Sequence, residues 1–153
     1  TFSARYYLPY RAALHGEYRI FGDSWGIRAY NAEIGYTHPF KNGLSFDLRY
    51  RIYKQTAANF YSDLFPYSQS QNFMARDREF SAFANHTIGV GVSREFAKNL
   101  WDFVDKGSLN LYYDYIQFDY DDFRDVRQRS TPGQEPLYSY SANVLRFFIS
   151  IWY

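Results

Sequence analysis

Cysteine is absent from the 153 residues and methionine occurs once. No disulfide framework and no thiolate metal or redox centre can therefore be built. A fold closed by backbone hydrogen bonds does without disulfides, so the absence is compatible with the cell envelope. Long hydrophobic runs are missing too. A membrane helix needs about 20 predominantly apolar residues, and no such run lies between Thr1 and Tyr153. An excess of one charge is also lacking, since 17 Lys and Arg face 16 Asp and Glu for a net charge of +1. That balance gives no reason to expect nucleic acid as a partner. With no glycine-rich phosphate loop and no His or Cys metal set, no cofactor is expected. The chain starts TFSARYY, without initiator Met or signal peptide, and is read as a processed product or an excerpt.

Aromatic residues are abundant. Seventeen Tyr, 15 Phe and 3 Trp make up 23% of the chain, while mean hydropathy is −0.51. A transmembrane β-barrel produces this combination, because lipid-facing apolar residues alternate with polar lumen-facing ones and aromatics gather at the two interfaces.

Side chains on a strand alternate between faces with period two. From Tyr10 to Ile20 the even positions read Tyr, Ala, Leu, Gly, Tyr, Ile against Arg11, Ala13, His15, Glu17 and Arg19. After the turn cluster Gly22-Asp23-Ser24, Tyr30, Ala32, Ile34 and Tyr36 oppose Asn31, Glu33 and Thr37, although Arg28 falls on the apolar side. Pro39 and Asn42-Gly43 mark a turn. Beyond it Leu44, Phe46, Leu48, Tyr50 and Ile52 alternate with Ser45, Asp47, Arg49 and Arg51. Periodicity vanishes from Gln55 to Asp77, a long loop, and returns from Phe80 to Ser93. Glu95 to Gly107 reads as a connection with a short amphipathic helix. Leu109, Leu111, Tyr113 and Tyr115 then oppose Asn110, Tyr112 and Asp114 ahead of a charged loop from Asp119 to Leu137. The last strand begins near Tyr138.

The fold class expected is all-β, an antiparallel up-and-down transmembrane β-barrel. The six strands, with Thr1 to Leu8 as a seventh, would be its C-terminal strands. Single-chain bacterial barrels have at least about eight strands, and an open edge cannot sit in lipid. Residues 1–153 are accordingly read as the C-terminal part of one outer-membrane barrel domain whose upstream strands lie elsewhere.

The C-terminus carries Leu145, Phe147, Ile149, Ile151 and the final aromatic Tyr153 at every second position. This pattern resembles the terminal assembly signal of outer-membrane barrels, which the barrel-assembly machinery reads by strand addition. A soluble barrel with an amphipathic last strand is the plainer alternative. The strings YRIFGDSWGIRAYNAEIGY, RYRIYKQTAANFYSDLF and ARDREFSAF, in order from Tyr18 to Phe83, resemble a family of bacterial outer-membrane proteins known only as a domain of unknown function. The resemblance implies the barrel fold and an outer-membrane location, and it carries no activity.

Lumen-facing candidates are Glu17, Arg19, Glu33, Asp47, Arg49, Arg51, Asp114 and Arg146. They would line an aqueous path, with Arg49 and Arg51 as an anion-selecting patch, or pair with one another to fill a narrow barrel. Catalysis is disfavoured. Of the three histidines, His38 falls in a turn, His86 on the lipid side, and His15 faces inward without Ser or Asp beside it. Asp119, Asp121, Asp122 and Asp125 lack the spacing of a calcium loop. The function expected is a channel or transporter of undefined substrate, the alternative a scaffold barrel that anchors an envelope protein partner, and last a rim enzyme. Outer-membrane lipid, lipopolysaccharide and the assembly machinery are the expected partners.

Overall fold

The computed structural model describes residues 1–97, 106–131 and 133–152. Seven strands form one sheet: β1 (Phe2–Tyr7), β2 (Ala13–Gly22), β3 (Arg28–Pro39), β4 (Leu44–Gln55), β5 (Phe83–Ala97), β6 (Lys106–Arg124) and β7 (Leu137–Trp152). Every strand pairs antiparallel with its neighbours in sequence, giving the up-and-down order β1-β2-β3-β4-β5-β6-β7. The only helix among the described residues is a 3-10 turn at Arg78–Phe80. β1 and β7 are not paired with each other, so the sheet is open rather than closed into a barrel.

The alternation read from sequence becomes two faces. One register row joins Ile34, Tyr50, Ile88 and Tyr115, and the next joins Tyr36, Leu48, Val90, Tyr113 and Leu145. Between these rows, on the opposite face, lie Gly35, Arg49, Gly89, Asp114 and Val144. Ordinary burial is inverted: Ile88 is 51% and Phe147 63% exposed, whereas Thr87 and Asp114 on the polar face are 2% and 5% exposed. No second layer of secondary structure covers either face among the described residues. The polar side chains therefore bury one another.

Two elements differ from the sequence reading. β5 continues through Glu95 and Phe96 to Ala97 in register with Lys106 to Ser108, so the start of the expected amphipathic helix is strand. Residues 98–105, where the rest of it fell, are outside the described residues, as is Tyr153. β6 likewise runs on through Asp119 and Asp122 to Arg124, with a register irregularity against β7 between Asp119 and Arg124. The start of the charged run expected to be loop, Asp119 to Arg124, is strand, because cross-strand pairing outlasts the apolar pattern that signalled it. His38, expected in a turn, lies on β3, its Nδ1 2.9 Å from Tyr36 Oη.

Register also decides where glycine is required. Gly89 stands between Arg49 and Asp114, and a Cβ there would run into both side chains. Gly16, on the other face, would bring a Cβ no closer than 3.8 Å to Glu33 O. Gly89→Ala is expected to destabilise the protein by about 1–3 kcal/mol, with Gly16→Ala near neutral. Urea midpoints of the two variants would decide it, and equal midpoints would contradict the assigned register.

Candidate functional site

The eight charged residues picked out by parity all lie on the polar face, and the structure draws part of the set together. Arg49 on β4 donates to Asp114 on β6 through Nε at 3.2 Å and through Nη2 at 2.7 Å to both carboxylate oxygens. Arg146 on β7 adds a bond from Nη2 to Asp114 Oδ2 at 2.7 Å. Asp114 thus serves two guanidinium groups at once, and the shared pair holds β4, β6 and β7 across the sheet. A carboxylate this buried is stable only if its lone pairs are met by such donors.

The others form smaller contacts. Arg51 reaches Thr87 Oγ1 at 3.4 Å, and Asp47 accepts from Thr37 Oγ1 at 2.6 Å. His15 Nε2 lies 3.5 Å from Glu33 Oε1, while Arg19 meets Glu17 at 3.4 Å near the β1 edge. Between these groups a cleft of ≈ 150 Å³ is lined by His15, Glu33, Asp47, Arg49 and Tyr112. Leu145, Phe147, Ile149 and Ile151 of the C-terminal pattern lie on the other, exposed face.

Three contributors escaped the sequence. The first is the set of rings over glycines: His15 occupies the space above Gly35, and Tyr112 that above Gly91. Aromatic cover of strand glycines strengthens a sheet locally, and it is legible only once register is known. The second is an aromatic belt at the end of the polar face toward the long loop. Phe118 stacks on Tyr140 at 4.6 Å and 6°, and Phe83 contacts Phe118, Tyr120 and Tyr53. The third is the loop clamp, in which buried Asp63 receives Arg76 at 3.0 Å and Arg124 at 2.9 Å. Nearby, Tyr61 Oη donates to the Asp122 carbonyl, and burial together with the Asp122 and Asp63 charges pushes its pKa up.

Of the carboxylates read as a loop cluster, Asp122 accepts from the Ala82 amide and Asp125 is gripped by Arg127 at 2.8 and 3.0 Å. They face different partners, and no group of three or more metal-ligating side chains comes together among the described residues.

Residues 1–118 match the family described as "Protein of unknown function (DUF3570)". No curated protein and no solved structure matches.

Removing Asp114 leaves two guanidinium groups without their carboxylate. Because Arg49 and Arg146 remain one third to one half exposed, Asp114→Ala is expected to cost about 2–3 kcal/mol, below the range for fully buried pairs. Urea unfolding checks this, and loss of less than about 0.5 kcal/mol would show the cluster to be ornamental. Asp125 supplies a pH marker. Hydrogen bonds from Arg127 hold its carboxyl well down, at about 2. A depressed folded value means that the contact contributes fully above the unfolded value, about 3.9, and is lost as pH falls through about 2. The Asp125 carboxyl ¹³C shift should titrate near 2, and Arg127→Ala should return it toward the ordinary value. A wild-type midpoint near 4 would refute the pairing.

Proposed function

We propose that this chain, which belongs to the DUF3570 family by its match over residues 1–118, forms one wall of an outer-membrane β-barrel that passes a small solute. The apolar face turns to lipid and the Arg49–Asp114–Arg146 face to the lumen. The observation that carries this reading is the slant of the apolar band. Moving along each strand from the mid-band row Tyr36–Leu48–Val90–Tyr113–Leu145 toward the long loop, the first polar residue on the apolar face is Asn143 on β7, Gln117 on β6, His86 on β5, Lys54 on β4 and Arg28 on β3. The register row through Asn143 arrives at Ile34 on β3, six residues short of Arg28.

Six residues over four strand-to-strand steps is a climb of about 1.5 residues per strand. With a rise of about 3.3 Å per residue and strands about 4.8 Å apart, this places the strands roughly 45° from the normal of a flat boundary. Membrane barrels tilt their strands by about 35–45°. The apolar stretch of β4, from Leu44 to Ile52, spans nine residues, and a strand tilted by about 45° crosses a bilayer with roughly 9–11. A partner protein on the apolar face would give no reason for its edge to advance in one direction from β7 to β3. Lipid does.

Strand parity limits how such a barrel closes. β1 and β7 are both odd-numbered in an alternating sheet, so they run in the same direction. Joining them to each other, or to a second copy of the sheet related by an axis along the membrane normal, would make a parallel seam. Antiparallel closure takes an odd number of further strands between β7 and β1, which also spares both edges from facing lipid.

For the lumen, the polar face of the regularly paired strands carries Arg5, Arg19, Arg49, Arg51, Lys106 and Arg146 against Glu17, Glu33, Asp47, Glu95 and Asp114. Arg51 meets the neutral Thr87 rather than a carboxylate, and a basic group left in a lumen favours anions, so we take the solute to be anionic. A scaffold role takes the same wall with the cluster as filling.

The experiment fractionates cells expressing the full protein, follows heat-dependent migration on gels, and compares Arg substitutions. Leu48→Arg and Ile88→Arg are expected to cost about 2–4 kcal/mol each at mid-band, while Ser45→Arg on the polar face costs less than about 1. Recovery of wild type in the aqueous fraction without detergent, or equal losses in the two sets, would overturn the reading.

A further inference from the structure

The turn between β2 and β3 and the long loop between β4 and β5 meet in a cleft of ≈ 370 Å³. Its floor is Trp25. Asp23 Oδ1 accepts from the Trp25 and Ile27 amides at 2.9 and 3.1 Å, and the Asn59 amide donates to the Trp25 carbonyl at 2.8 Å. Gly26 takes φ of 88°, open to glycine, and the Asn59 side chain occupies the space a Cβ would need. Phe60 and Phe80 abut the indole edge-on, each with centroids 5.8 Å away. The indole is therefore fixed in advance, yet it is 53% exposed, and Phe73 at the mouth is 78% exposed. The remaining lining residues are Ser24 and three that carry side-chain amides, Asn59, Gln71 and Asn72. None of the described side-chain hydrogen bonds uses these three amides, and no charged side chain lines the cleft.

We propose that this cleft binds a neutral saccharide. A preset aromatic face offers the apolar C–H face of a pyranose a stacking surface at little entropic cost. A primary amide presents a donor and an acceptor side by side, which matches adjacent sugar hydroxyls. The lack of charge disfavours phosphate and carboxylate ligands, and the volume sits at the low end of small-molecule sites, about 300–1,000 Å³. One ligand chemistry has two sources: sugars of lipopolysaccharide in the leaflet around the protein, or a soluble oligosaccharide. The site is built from loops alone, so it stands or falls independently of the membrane reading.

The test titrates the purified full protein in detergent with maltoheptaose, cellohexaose and mannohexaose in one arm. The other arm uses the polysaccharide released from purified lipopolysaccharide by mild acid. Binding is read from tryptophan fluorescence and saturation-transfer NMR, and folding from near-ultraviolet circular dichroism. At least one probe should bind saturably, at least tenfold more weakly to Trp25→Ala and to Phe73→Ala and equally well to Trp152→Phe. Phe73 lies outside the Trp25–Phe60–Phe80 cluster, so its variant keeps the test alive if Trp25→Ala disturbs the loop. Binding confined to one arm names the source and supports the site. No saturable binding of any probe by folded protein, or unchanged affinity in Phe73→Ala, would overturn it.

Discussion

The ladder from β4 through β5 to β6 governs everything else in the molecule. It runs without a bulge from Leu44 opposite Arg94 to Gln55 opposite Phe83, and from Phe83 opposite Tyr120 to Ala97 opposite Lys106. Because the side-chain period is two, a slip of one residue anywhere along it would carry a whole strand to the wrong face. Arg49 and Asp114 would then fall on the apolar side, while Leu48 and Val90 would face the polar cluster. The exposed apolar surface and the buried charges are thus two results of one register.

That register also explains why β5 is poor in side chains where it passes the cluster. β4 and β6 are next-nearest strands, about 9.6 Å apart at the usual spacing. An arginine on one can grip an aspartate on the other only by lying flat across the strand between them. Gly89 leaves that crossing open, and Gly91 does the same for the Tyr112 ring. The glycines on β5 are space given to neighbours rather than weak points in the strand. In turn the Arg49–Asp114–Arg146 group resists a slip of β4, β6 or β7, since any shift strands a charge.

Parity alone made the strands and the two faces legible, because alternation is written directly into residues such as Leu44 to Ile52. Strand ends were less so. β5 and β6 outrun their apolar alternation, and nothing in the local composition of Asp119 to Arg124 distinguishes a paired strand from a solvated loop when its pairing depends on distant residues. For the same reason the eight charged candidates were found but not which of them pair: Asp114 lies 65 residues from Arg49. The loops were the least readable. Asp63 and Arg76 meet within one loop and are joined there by Arg124 from the end of β6, and the polar stretch that contains Asp63 offers no periodic signal to bind them.

The loop clamp and the strand overhang depend on each other. Asp63 is buried and would be costly unpaired; its two arginines come from its own loop and from the last residue of β6. If β6 stopped where its apolar alternation stops, at Tyr115, Arg124 could not stand beside that loop. The continuation through Tyr120 also supports the aromatic belt, in which Tyr120 meets Phe83, Tyr138 and Tyr140. Beyond the apolar band the sheet therefore changes task, from presenting a greasy surface to serving as the frame on which the long loop folds. Ordering that loop holds Phe60 and Phe80 against Trp25, so the shape of the cleft at the β2–β3 turn is set by the same loop that β6 steadies on the far side of the sheet.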